Sequence, residues 1–330
     1  SGALDCASTD TAVWEAGTGT ITFDSATGDA SYTPCAITTE AHFNSATFSS
    51  TGGTAQTFTM TTNGLRWAGT LTVTDETGGT TLTRATSLTL DGGALTLSGT
   101  AGGDLTGSGA AAVTTVSIST AASAISTGGS DWTVSGTWTN NSTDTAVWSN
   151  GGTIWTFDSA TGGTMVFGGT NLGEVEFGTA YFASSAVASQ TFTMSTRVLQ
   201  VGLETRVFSA TILDKGVQAL TLTGADLLVG TIGDGAIIST SGNVAVASVN
   251  VGTAGSYIDF GSETWTVSAS GAGNPWQNLT TSASWDAGTG TVTFTGDGTM
   301  TFAGANLAEA EFNNLTLNST SAVTQTFTMA

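Results

Sequence analysis

A chain that repeats itself must fold as a stack or string of similar units, and this one repeats at a period of about 135 residues. Gln56-Thr57-Phe58-Thr59-Met60 returns as Gln190-Thr191-Phe192-Thr193-Met194 and as Gln325-Thr326-Phe327-Thr328-Met329. The steps from Phe58 to Phe192 and from Phe192 to Phe327 match to within a single position. Thr11-Ala12-Val13-Trp14 returns as Thr145-Ala146-Val147-Trp148 and, loosely, as Ser282-Ala283-Ser284-Trp285. Trp132-Thr133-Val134-Ser135 returns at nearly the same step as Trp265-Thr266-Val267-Ser268. Several markers in one order at one spacing divide the chain into modules 1–137 and 138–275 and a partial module 276–330.

Within a module the signals are those of short strands. Thr20-Ile21-Thr22-Phe23, Thr291-Val292-Thr293-Phe294 and Ala219-Leu220-Thr221-Leu222-Thr223 alternate apolar with small polar residues. Alternation at period two puts one face of a strand inward and the other outward. Glycine pairs such as Gly151-Gly152 and Gly162-Gly163 punctuate the runs as turns. No segment shows helical periodicity, so the chain is predicted to be all-β. Two architectures suit it: tandem β-sandwich domains, or a parallel β-helix, a β-solenoid whose coils stack strand on strand. Short, closely spaced, Gly-bounded strands rich in Thr, Ser, Val and Ala favour the solenoid, because similar residues can form ladders between coils. Coils of roughly 20 to 25 residues would place about six in a module.

Composition narrows the function classes. Five Lys and Arg against 25 Asp and Glu give a net charge of −20. Such a surface repels nucleic acid and anionic lipid headgroups. No apolar run is long enough to span a bilayer, so no membrane insertion is expected of this segment. The sequons at Asn140, Asn141, Asn278, Asn314 and Asn318 are candidate glycosylation sites. With the scarcity of Lys and the two cysteines, they point to an extracellular or cell-surface location.

Glu311-Phe312-Asn313-Asn314-Leu315-Thr316-Leu317-Asn318 with the following Gln-Thr-Phe-Thr-Met run resembles a repeat motif of secreted prokaryotic β-helix surface proteins. Trp285-Asp286-Ala287-Gly288-Thr289-Gly290-Thr291-Val292-Thr293-Phe294 resembles the turn-and-strand motif that precedes it there. The resemblance implies a parallel β-helix on the cell surface or in an appendage. It implies no particular activity, since such scaffolds carry both enzymes and inert rods.

Catalytic chemistry is hard to find. Polysaccharide-cleaving enzymes need clustered carboxylates, often with His, Arg or Lys beside them. His42 is the one histidine, and the sister modules carry Glu176 and Glu311 in its place. A position that accepts either type reads as a solvent-facing strand site. Glu174 with Glu176, and Glu309 with Glu311, have the spacing that shares one strand face. They read as a polar outer face, with a structural calcium ion as the other expectation. Gly230-Thr231-Ile232-Gly233-Asp234-Gly235 holds too few acids for a calcium-binding β-roll repeat. Arg66, Arg84, Arg197, Arg206 and Lys215 are dispersed. The tryptophans recur at equivalent module positions, which assigns them to core packing before sugar stacking.

The chain is therefore expected to be no enzyme and to need no cofactor. It reads as an extracellular structural protein, a segment of a surface filament, stalk or sheath. The alternative is an adhesin or receptor-binding stalk with a carbohydrate-binding face. Cys6 and Cys35, which are Asn140 and Gly169 in the second module, are expected to form a disulfide staple within the first module or bridges between subunits. Gln325, Thr326, Phe327, Thr328 and Met329 form a strand without charge, Pro or Gly. This strand is expected to be completed by another copy, head to tail, or by continuation of the chain. The partners expected are thus the chain itself and glycans.

Overall fold

The structure is a computed structural model that describes residues 3–5, 17–34, 41–84, 89–119, 122–142, 152–158, 163–169, 176–185, 190–195, 199–208, 210–222, 226–230, 235–239, 241–252, 255–268, 274–279, 285–296, 298–302, 311–318 and 327–329. Every regular element among them is a strand. The strands pair in parallel, coil upon coil, so the chain is a β-solenoid. The tandem-sandwich alternative, which needs antiparallel partners, is excluded. Contacts divide the chain into two compact units, Ser1–Ile154 with Gly169–Gly173, and Trp155–Gly168 with Glu174–Ala330.

In the first unit, one sheet stacks Ala3–Asp5, Ala30–Thr33, Gln56–Met60, Thr80–Arg84, Gly103–Thr106 and Ala124–Ile125. A second stack runs Thr20–Ser25, Ser45–Ser50, Leu65–Asp75, Leu90–Gly99 and Ala111–Ile118, then splits onto Trp132–Val134 and Trp138–Asn140. Ala46, Leu71, Leu95, Val116 and Trp138 stand in register, one on each successive coil. Their spacing along the chain agrees with the coil length that the sequence predicts.

The long strands of this second stack bend once. Leu65 and Trp67 are buried, Ala68 to Thr70 are not, and burial resumes at Leu71 and Val73; in the next strand the inward residues pass from Leu90 to Leu95 and Leu97, so there the phase shifts. The register slips between Trp67 and Thr70, so Ala68-Gly69 and Gly92-Gly93 form a corner within each coil. A Cβ on Gly93 would fall 2.2 Å from the Gly69 carbonyl oxygen of the coil beside it. Only glycine stacks on glycine there. Gly92-Gly93 is therefore a corner inside a continuous strand.

The repeated markers of the sequence are the aromatic core. Phe48 stacks on Phe23 at 4.7 Å and meets Phe58 edge-on at 5.4 Å, with Phe43 packed edge-on against Phe23 at 5.6 Å. In the second unit Phe182 stacks on Phe157 at 5.5 Å and meets Phe192 edge-on at 5.1 Å, with Phe177 against Phe157 at 5.2 Å. Each member stands one module period beyond its counterpart. Burying one such side chain stabilises by roughly 1.5–3 kcal/mol, and offset or edge-on ring contacts add about 0.5–1.5 kcal/mol more. In the third copy Phe294 and Phe312 keep the contact, at 6.2 Å.

The second unit stacks Phe177–Ala183, Leu199–Val207, Asp226–Val229, Ser248–Val251, Trp276–Asn278 and Gly298–Phe302, each parallel to the next. Its last described rungs are Asn314–Leu317 on Thr291–Phe294 and Phe327–Met329 on Gly298–Phe302. The registers Val292 to Leu315 and Phe294 to Leu317 continue inward-facing columns. Yet Leu315 and Leu317 are 44 % and 50 % exposed, while Val292 and Phe294 beneath them are buried. No described strand covers this rung.

Candidate functional site

Strand phase places a cation in the interior of each unit. In the first, Thr80–Arg84 stacks on Gln56–Met60 with Arg84 in register with Met60, an inward position. The Arg84 guanidinium donates to the carbonyls of Gly109 at 2.7 Å and Gly107 at 3.1 Å, and lies 5.6 Å above the Trp132 ring. Burial lowers its pKa to about 10. In the second unit Thr211–Gly216 stacks on Gln190–Met194, with Thr193 beside Asp214, and the inward residue that follows is Lys215.

Lys215 is wholly buried. Its Nζ lies 2.9 Å from the buried Glu263 Oε1 and donates to the carbonyls of Gln218, Ser241 and Gly242 at 3.1, 2.9 and 2.6 Å. Burial lowers the lysine pKa, and the Glu263 carboxylate opposes that shift. The parallel between Arg84 and Lys215 assigns both to one task. Each gathers carbonyls at a turn of a later coil, where strand hydrogen bonding has ended and an unpaired C=O would be costly. The shared pattern Thr80-Thr81-Leu82-Thr83-Arg84 and Thr211-Ile212-Leu213-Asp214-Lys215 was the signal in the sequence. Reading basic residues only as dispersed charges overlooks it.

The position of His42, Glu176 and Glu311 departs from the expectation of a solvent-facing site. His42 and Glu176 are 1 % and 2 % exposed. The chain turns a corner here, so two consecutive residues, His42-Phe43 and Glu176-Phe177, are both buried and the alternation breaks. His42 Nδ1 accepts the Arg66 backbone N–H at 3.0 Å while the His42 backbone N–H donates to the Arg66 carbonyl at 2.9 Å. The Glu176 N–H donates in the same way to the Gln200 carbonyl at 3.1 Å. In the third copy the Glu311 carboxylate accepts from the buried Asn278 amide, and burial raises its pKa. The His42 side chain thus serves a backbone group of the next coil. Glu174 and Glu309 lie outside the described residues.

The raised pKa of Glu311 carries a sign. A carboxyl whose folded pKa lies above its unfolded value stabilises fully only below the unfolded pKa, and the contribution falls as pH rises through the folded pKa. Glu311→Gln should therefore raise the melting temperature at pH 7 while keeping an acceptor for Asn278. The gap to the parent should close below about pH 4, near the ordinary glutamate value. Thermal melts at the two pH values check this.

On the outer surface of the second unit, Tyr181 donates to Glu204 Oε1 at 3.1 Å, and Arg206 pairs with that carboxylate at 2.6 and 3.1 Å. The Arg206 guanidinium covers the Tyr181 ring at 5.2 Å, and Phe208 meets Tyr181 edge-on at 5.4 Å. Asp259 and Asp286 stack in register on adjacent coils, each capping the glycine N–H two positions on, Gly261 at 2.8 Å and Gly288 at 2.9 Å. Burial raises the Asp259 pKa, and the Asp286 charge adds to the rise. Among the described residues no three His, Cys, Asp or Glu side chains converge as a metal site would require.

The other sequence candidates divide by exposure. Asn140 and Asn278 are 0 % and 3 % exposed. Asn140 Oδ1 accepts the Ser142 N–H at 2.9 Å. Asn141 is half-buried, while Asn314 and Asn318 face solvent. A glycan needs an accessible amide nitrogen, and of the exposed pair Asn314 already donates its Nδ2 to the Gly290 carbonyl at 3.3 Å. Trp132, Trp138, Trp155, Trp265 and Trp276 are all core residues. Trp14, Trp148, Cys6, Cys35, Asp234, Gln325 and Thr326 lie outside the described residues. No known protein family, characterised protein or solved structure matches this chain.

Proposed function

We propose that the chain is an extracellular structural protein, a rod-like segment of a surface filament, stalk or sheath that joins to a second copy through its strand edges. The observation that carries this reading is the last described rung. Leu315 and Leu317 continue buried columns but stand half exposed, and no described strand pairs with the far side of their backbone. An edge of this kind recruits another strand unless something covers it. On the first unit Ile21 is 44 % exposed on Thr20–Ser25, the first described strand of its stack. In register with Ala46 of the next coil, it too occupies an inward column. An edge that pairs with a different edge of another copy makes a heterologous contact, which grows as a filament where the rotation does not close.

Leu315→Lys with Leu317→Lys should abolish this association while leaving the solenoid folded, because both residues already stand half exposed on the last described rung. Sedimentation velocity over a range of concentrations reads the outcome. Association of the parent that the double variant retains would count against the proposal, as would a parent that stays monomeric throughout. The adhesin alternative calls for tryptophans presented to a ligand. All the tryptophans whose burial is known, Trp67 included, are buried.

A further inference from the structure

The outward face of the second stack in the first unit is a two-dimensional array of hydroxyls. Its central column, one residue per coil in strict register, is Thr22, Thr47, Thr72, Thr96, Ser117 and Thr139. A flanking column holds Asp24, Ser49, Thr74 and Ser98. On the other side Thr20 pairs with Ser45, and Thr70, Ala94 and Thr115 continue in register. One residue of these columns, Asp24, is charged, in a chain of net charge −20. Thr22 is exposed and the other central-column residues are half-buried. The neighbouring sheet of the same unit differs, for there Thr83 bonds Thr106 at 3.0 Å and Thr33 bonds Thr61 at 2.9 Å.

We propose that this face binds ice. Stacked coils repeat at ~4.8 Å, and alternate residues of a strand repeat at roughly 6.7 Å. The hydroxyls therefore form a rectangular lattice close to the spacing of oxygen atoms on a prism face of ice. A packed solenoid core fixes that lattice, so little entropy is lost when a water layer orders on it. Threonine suits both sides of the task. Its hydroxyl can anchor an ordered water, and its methyl beside it excludes disordered ones. Charge favours the same partner, since a near-neutral face attracts neither ionic polymers nor charged surfaces.

The second unit carries the same strand stack without this property. Its central column reads Tyr181, Arg206, Leu228, Asn250 and Gln277, and the adjoining column reads Thr179, Glu204, Asp226 and Ser248. Bulky and charged side chains interrupt the lattice at nearly every rung. A Thr ladder kept only for strand propensity would have no reason to persist in one unit and vanish in its repeat.

The test is partition of the purified full chain into a slowly growing ice front, alongside inhibition of ice recrystallisation. The parent should enter the ice, and Thr72→Tyr with Thr96→Tyr should lower its partition by about tenfold or more, a loss of roughly 1.4 kcal/mol. Thr96→Lys serves as a second variant, and circular dichroism confirms that each retains its strands. Tyr181→Ala, on the counterpart face of the second unit, should leave partition unchanged. Exclusion of the parent from ice, like a control globular protein, would overturn the proposal. Equal partition of parent and folded Thr72 and Thr96 variants would overturn it too, as would a matching loss on Tyr181→Ala.

Discussion

Lys215→Met should destabilise the second unit by about 3–5 kcal/mol, because it leaves the Glu263 carboxylate buried without its counter-charge. The geometry behind this is complete on both sides of the pair. Lys215 is wholly enclosed, 2.9 Å from Glu263 Oε1, and three carbonyls of turns converge on its ammonium. Removing the lysine therefore orphans an anion and up to three acceptors together. The double variant Lys215→Met with Glu263→Met should recover much of the loss, since a buried ion pair replaced by apolar side chains of similar volume is often neutral or better. Urea unfolding of the parent and the two variants measures both effects. A single variant as stable as the parent would mean that the ammonium does not hold these turns together.

The second large effect lies in the aromatic core. Phe182→Ala should cost about 3–5 kcal/mol, the range for deleting a buried aromatic ring. Phe182 stacks on Phe157 and meets Phe192 edge-on, so the cavity would open between strands that cannot easily collapse onto it. Phe48→Ala should behave alike in the first unit, where Phe23 and Phe58 hold the same places. Repeat architectures are stabilised by contacts between neighbouring coils, so each substitution should act within its own unit. Urea denaturation followed by tryptophan fluorescence resolves this. Losses below about 1 kcal/mol at either site, the scale of an ordinary surface substitution, would contradict the packing described for the repeated markers.

The solenoid was readable because a strand buried on one face announces its phase residue by residue. The Thr-Phe-Thr-Met and Thr-Leu-Thr-Arg runs show which side chains point inward, and coil length follows from their spacing. The corners were not readable in the same way. At His42-Phe43 and Glu176-Phe177 two adjacent residues are buried, so the period-two rule fails where the chain bends, and a polar side chain such as His42, which serves a backbone group, looks solvent-facing. Arg84 and Lys215 sat on the correct inward phase all along. Their charge argued for the surface, and only carbonyls a full coil further along the chain explain why they belong inside. The outward hydroxyl array is a further case. Each Thr is ordinary within its own strand, and the lattice exists only once the register between coils is known.

Imaging the purified chain by electron microscopy tests most directly the claim that this is a structural solenoid joined edge to edge. Strand-edge joining should give unbranched filaments that lengthen with protein concentration, with rungs spaced at ~4.8 Å along the filament axis. Discrete, unjoined particles at every concentration, with Leu315 and Leu317 intact, would contradict it.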